Sequence, residues 1–298
     1  MAKWENGSLN QVAIEGILSE VKLQEGTDKD NKPAIFGEYK IRTTNVVDGI
    51  EYNVEIPIRV YQSKITKNGK NNPAYDSAMK IMKDYVSIAA GGADKATAVR
   101  LSETSTSLQE NFFMSKTTKQ MVFGSGIKAS FINEVNKADL NPGASFKVVA
   151  VVGEITEEID SEGVETGRLI VKGVLPQWGG RVDVIDFIVA NRRVADIVRN
   201  NWEKGNTVVM GGRINFTSVV ETAAQNEDTF GEVMTSQRTK SIREYIITGG
   251  REEPLSEDEG AYAMEDIAEA LQERQQRIEA AKAKASANEK KSAPSFGF

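Results

Sequence analysis

Residues 191–216 read NRRVADIVRNNWEKGNTVVMGGRINF. Val194, Ile197, Val198 and Trp202 recur at the spacing that stacks side chains on one helical face, so Arg192–Trp202 is expected as an amphipathic helix. Lys204-Gly205 closes it, because glycine accepts the backbone turn beyond a helix end. Thr207–Phe216 then alternates as a strand. Upstream, Phe146–Ile159, Arg168–Leu175 and Arg181–Ala190 read as strands, separated by turns at Asp160–Gly167 and Pro176-Gln177-Trp178-Gly179-Gly180. Downstream, a polar excursion, Thr217–Thr239, leads to a last strand at Ser241–Thr248.

The first half repeats this order. Gln11–Leu23 places Val12, Ile14, Gly16 and Leu18 on one face, and Ala34–Thr44 does the same with Ile35, Gly37, Tyr39 and Ile41. Asp48-Gly49 marks a hairpin. Glu51–Tyr61 then turns Tyr52, Val54, Ile56, Ile58 and Val60 inward. One helix is expected from Ala74 to Ala89, its stripe Ala78, Ile81, Met82 and Tyr85. Strands follow near Thr97–Glu103, Asn111–Met114 and Gln120–Ile132. Asn141-Pro142-Gly143 punctuates the chain before the order begins again.

Three strands, a helix and then further strands, written twice, is the order of the OB-fold, a five-stranded Greek-key barrel. The expected fold class is mainly β: two tandem barrels, residues 1–140 and 141–253, each with one helix. Residues 254–298 would add an exposed amphipathic helix, Glu257–Ala281, started by the capping box of Ser256 and Glu259, and a disordered tail from Lys282. Met264, Ile267, Leu271 and Ile278 form the helix seam, which Arg274 interrupts.

Ala195-Asp196-Ile197-Val198, Trp202, Lys204-Gly205, Val208-Val209 and Gly211-Gly212-Arg213-Ile214 resemble the helix-and-fourth-strand segment of bacterial single-stranded DNA-binding proteins. Asn10–Glu20 is similar to that family's opening strand. The resemblance implies a binding protein that holds unpaired strands during replication or recombination. Two barrels in one chain depart from the usual one-barrel protein and suggest a phage-type relative.

Composition agrees with binding over catalysis. The chain has no Cys and no His, which removes disulfides, thiolate chemistry, the Ser-His-Asp triad and most transition-metal sites. Neither a metal nor a cofactor is expected. No apolar run approaches the length of a membrane span, and the polar start, Met1–Asn6, lacks a signal sequence, so a cytoplasmic location is expected. The net charge of −6 is unevenly spread. Residues 1–140 carry a net +1 and residues 251–298 a net −4. Three runs hold cations and no acid: 56–75 with Arg59, Lys64, Lys67 and Lys70; 111–133 with Lys116, Lys119 and Lys128; 233–243 with Arg238, Lys240 and Arg243. Such runs suit an anionic ligand.

Rings set among cations stack bases while the cations follow the phosphates. Phe36 and Tyr61 fall on the polar strand faces beside Lys40, Arg42 and Arg59. Trp178 sits at a hairpin tip with Lys172 and Arg181 nearby, and Phe112-Phe113 precede Lys116 and Lys119. Together with the Lys64–Lys70 loop, Arg238 and Lys240, these are the candidate nucleic-acid contacts. Tyr39, Tyr52, Tyr85, Trp202 and Phe216 read as core. Phe296 and Phe298, in the terminal Phe-Gly-Phe, are a candidate anchor for a replication or recombination protein.

Other motifs fail on inspection. Gly91–Thr97 has Asp94 where a phosphate loop needs glycine, and the calcium-like start at Asp28 meets Pro33 and Tyr39 where Gly and Glu are required. Ser125–Lys128 matches S-x-x-K without its companion motifs. Asp183 and Asp186 point to opposite faces of a strand. Two rivals to strand binding are an assembly protein that uses the barrels for protein contacts and a metal-dependent nuclease.

Overall fold

A computed structural model describes residues 4, 9–47, 49–115, 117–160, 162–222 and 237–292, with only the backbone of 219–222, 237–238, 240 and 286–292. In the first half β1 (Asn10–Thr27), β2 (Pro33–Val47) and β3 (Ile50–Ser63) precede α1 (Pro73–Asp84) and α2 (Ile88–Gly91). β4 (Ala98–Leu101), β5 (Thr106–Met114), β6 (Met121–Ala129) and β7 (Ile132–Glu134) follow. The second half holds β8 (Gly143–Ile159), β9 (Glu165–Gln177), β10 (Arg181–Val189), α3 (Arg192–Asn201), β11 (Thr207–Thr222) and β12 (Gln237–Gly250). α4 (Met264–Ser292) ends the described chain.

The fold is mainly β and OB-like. β8 pairs with β9, β9 with β10, β10 in parallel with β12, β12 with β11, and β11 back with β8. These five strands close a barrel. The first half runs in the same sense, β1-β2-β3-β6-β5, with β3 and β6 parallel. Among the described residues no ladder joins β5 back to β1. The side chain of Asn10 fills that place: its amide donates to Leu108 O at 2.9 Å and its oxygen accepts from Leu108 N at 2.9 Å, as a backbone pair would. The backbone of Asn10–Glu15 pairs instead with Gly143–Val148 of β8, joining the two halves in one sheet. Asn45 adds a second tie. It donates to Ile214 O at 2.8 Å and accepts from Ala144 N at 3.0 Å while buried. Most buried apolar side chains of both halves form one continuous cluster.

Strand alternation decides what is inside. Val12, Ile14 and Leu18 on β1, Ile35, Tyr39 and Ile41 on β2, and Val54, Ile56 and Ile58 on β3 are buried as expected. Tyr52 is the exception at 48% exposure, because β2 and β3 run past the barrel wall as an arm, where Val46 and Ile50 are exposed too. The helix expected over residues 74–89 is two. Tyr85 adopts extended φ/ψ, which breaks α1, and the Ser87 side chain caps α2 by accepting from Ala90 N. Tyr85 is still buried.

Three further expectations change. The polar excursion begins later than expected, since β11 continues to Thr222 and β12 resumes at Gln237 in register, forming a long two-stranded arm. The Ser256–Glu259 capping box is present but starts only a 3-10 turn, and α4 begins at Met264. Backbone and side-chain donation from Ser256 and an ion pair with Arg251 hold the Glu259 carboxyl down at about 2. α4 also extends to Ser292, through residues expected to be disordered, and it is not exposed on all sides. Ile267, Ala270 and Ile278 are buried, the first two against Val151, Val174 and Val182.

Candidate nucleic-acid interface

The outer face of β1-β2-β3 carries the residues that face away from the barrel. Phe36 on β2 pairs directly across from Tyr61 on β3 and from Gln24 on β1. The Phe36 ring lies against Gly26, where an added Cβ would sit 2.6 Å from the nearest ring carbon. Next along β2, Gly37 has φ +135, and a Cβ there would meet Lys22 O at 2.0 Å, so only glycine allows β1 this close. Tyr61 stands clear with 60% of its surface exposed. Arg59 lies two residues away on the same face, and the parallel pairing of β3 with β6 sets Lys128 beside it.

The β11-β12 arm supplies the opposite wall. Arg243 stacks over the Phe216 ring at 5.8 Å, and Phe216 packs on Tyr245 at 5.5 Å, which fixes where the guanidinium can lie. Between arm and face run two adjoining cavities of about 400 and 760 Å³, both bordered by Glu38, Pro57, Phe216 and Arg243. The first is also lined by Arg59, Tyr61, Asn111 and Lys128, and the second by Lys40, Arg42 and Glu55. Among the described residues Arg59, Lys128 and Arg243 make no ion pair. Lys40 is held at 2.9 Å by Glu20, which keeps its ammonium above its ordinary range, and Arg42 lies 3.5 Å from Glu55. The groove therefore has a cationic end beside Tyr61, where Arg59, Lys128 and Arg243 outnumber Glu38, and a neutralised end beside Lys40.

A family model described as YorF matches residues 8–284. The chain belongs to the YorF family. No curated protein matches it. A crystal structure of a deletion mutant of the single-stranded DNA binding protein from Thermus aquaticus aligns with this YorF-family chain at a TM-score of 0.50 and 12% identity, covering 84% of this chain and 96% of that one. The wild-type protein from the same organism aligns at 0.48 and 12%, covering 71% and 87%. At such identity the likeness is one of fold.

The candidate contacts in this YorF-family chain separate into three groups. Phe36, Lys40, Arg42, Arg59 and Tyr61 share the groove face. Lys64, Lys67 and Lys70 are exposed on the loop leaving β3, which the pairing of Ser63 with Ala34 places at the Phe36–Tyr61 end. On β5, Phe113 is exposed and shares the face of Gln109 and Asn111, toward the groove. Phe112 takes the other face, its ring 6.3 Å from Phe123. The amide of Lys119, in the turn after β5, donates to Ser115 O at 3.1 Å.

Trp178 is 80% exposed at the β9-β10 tip, followed by Gly179 and Gly180, both at positive φ, and by exposed Arg181. This tip is not part of the groove. Lys172 is bound at 2.9 Å to Glu154, which raises its ammonium, and it shares the β9 face that packs under α4. The side chains of Arg238 and Lys240, and all of Lys116, Phe296 and Phe298, lie outside the described residues. Lys128 and Arg243 belong with the groove although neither stands among the candidate contacts. Both lie in the acid-free runs. Alternation turns Lys128 away from the core residue Ile127, but Arg243 shares the strand face of buried Tyr245. Alternation thus points Arg243 inward, and it is exposed only because β12 belongs to the arm there.

Proposed function

We propose that this protein is a non-catalytic binder of single-stranded DNA, built from two OB-like barrels, residues 1–140 and 141–253, with residues 254–298 as an appended helix and tail. The observation that carries the reading is the groove: an exposed Tyr61 ring among Arg59, Lys128 and Arg243, three cations that make no ion pair among the described residues. Bases stack on exposed rings whatever their identity, and phosphates follow the cations, so low sequence preference goes with this chemistry. The Thermus aquaticus relative in fold is by name a single-stranded DNA binding protein, which supports the same ligand. The lack of His and Cys takes away the usual general base and thiolate chemistry, which favours binding over catalysis.

The strand runs from the Lys64–Lys70 loop past Phe36 and Tyr61 and on between Arg59 and Arg243. Trp178 with Arg181, and Phe113 with Lys116 and Lys119, serve as outlying contacts, and Arg238 and Lys240 extend the arm. The role is to coat unpaired strands in replication or recombination, of a phage genome in the bacterial cytoplasm, with Phe296 and Phe298 engaging a partner protein of that machinery. Among the described residues no helix is long and apolar enough to cross a membrane. Fluorescence anisotropy with labelled oligo-dT, oligo-rU and a duplex at low salt tests the reading. Saturable binding of dT with duplex at least about tenfold weaker is expected. Absence of dT binding, or preference for duplex, would reject it.

A further inference from the structure

A further cavity, of about 540 Å³, lies on the second half, away from the groove. Its floor is aliphatic: Val194 and Ile197 of α3, Ile246 of β12, and Val47 from the tip of the β2-β3 arm. Arg193, Arg213 and Arg251 ring it, with Glu252 the one acidic residue among its lining side chains. Arg251 is satisfied by Glu259 at 2.6 Å, but among the described residues Arg193 and Arg213 make no ion pair. Like charges gathered over an apolar floor repel one another unless an anion joins them.

The backbone narrows the class of ligand. β10 pairs with β12 only at Ile188–Ile246, after which the chain leaves the sheet for α3. β12 continues to Gly250 with β11 on one side and, among the described residues, no strand on the other. Thr248, Gly249 and Gly250 form that open edge, and all three line the cavity. At Gly249 a Cβ would find nothing within 4 Å, so the strand face is open there, and all three residues are exposed. Thr248 sits in the register shift opposite Gly211 and Gly212, where a bulge bends the strand. The cavity wall has no exposed ring for a base to stack on, since Trp202 is buried and donates its indole N–H to Glu252 O at 3.0 Å.

We propose that this cavity is a peptide-binding site, in which an extended segment adds to the β12 edge at Thr248–Gly250, seats one bulky aliphatic side chain on Val194, Ile197 and Ile246, and places carboxylates against Arg193 and Arg213. An open edge supplies main-chain hydrogen bonds, and a pocket for alternate side chains supplies selectivity. The partner is thus an acidic protein segment with an aliphatic anchor. This site stands independently of the DNA groove.

The test uses full-length protein and a fluorescein-labelled peptide Asp-Glu-Ile-Asp-Leu-Glu, with the Lys-Lys-Ile-Lys-Leu-Lys peptide and oligo-dT as further probes. Saturable binding of the acidic peptide is expected, with none for the basic one. Arg193→Glu with Arg213→Glu should weaken it at least about tenfold while leaving dT affinity and the thermal midpoint unchanged. If the reversal lowers the midpoint, Arg193→Gln with Arg213→Gln replaces it, with the same expectation. No binding by the wild type up to 1 mM, equal binding by the variants, or competition by dT would each overturn the proposal.

Discussion

The outer faces of β1-β2-β3 and β8-β9-β10 occupy the same place on strands of the same order, yet one is open and the other is covered. On the first, Glu38, Lys40, Arg42, Arg59 and Tyr61 face outward, and the nearest element, the β11-β12 arm, stands off across a groove. On the second, Val151, Val174 and Val182 face outward, and α4 lies on them. Burying such side chains is worth roughly 1.5–3 kcal/mol each, so this face holds its helix. Whether such a face stays open or is covered is decided by a few outward positions on each half. Strand order alone does not decide it.

The largest effect is expected where the cover is fastened. Arg274 reaches from α4 to Glu110 on β5 through two hydrogen bonds, one of 2.7 Å, and the Glu110 side chain is only 3% exposed. Glu110→Gln would leave the guanidinium without its counter-charge in a buried place, at a cost of about 3–5 kcal/mol in urea unfolding. An unchanged midpoint would mean that the valine face alone holds α4.

Asp183 lies beside this pair, and burial pushes its carboxyl up to about 6, with Glu110 adding repulsion and Arg277 and Arg274 opposing it. A raised carboxyl favours folding only while protonated, so this contribution is present below about pH 4 and is lost as pH rises through 6. Asp183→Asn should therefore stabilise the protein by up to about 3 kcal/mol at pH 7.5 and by almost nothing at pH 4. Equal gains at both values would show that the carboxyl does not titrate in this range. On the open face, Tyr61→Ala should weaken dT binding by about 1–3 kcal/mol with an unchanged thermal midpoint. Trp178→Ala should do less, since its ring stands apart from the groove.

Much of this comparison is legible in the sequence. Alternation on β1, β2 and β3 shows which side is core, and the outward residues name themselves by charge. Where a strand outruns the barrel, alternation misleads, as at Tyr52, because periodicity reports two faces without saying where the core ends. α4 shows a seam at Met264, Ile267, Leu271 and Ile278, but its docking site is set by valines more than 80 residues away. For the same reason Arg274 reads as an interruption of the seam until its partner Glu110 is placed. Lys128 and Arg243 needed the parallel β3-β6 pairing and the β11-β12 arm to come near Tyr61, and both are long-range features. Asn10 and Asn45 carry no local signal, since their amides act in place of backbone from other strands.

The central claim is that Arg59, Lys128 and Arg243 contact phosphates together. It is tested most directly by the salt dependence of oligo-dT affinity, measured for the wild type and for the triple alanine variant at those positions. Each phosphate contact with a single strand adds about 0.7 to the steepness of log K against log salt. Loss of all three should flatten that slope by about 2, with an unchanged thermal midpoint. Parallel lines for the two proteins would contradict the account and place the strand elsewhere on the molecule.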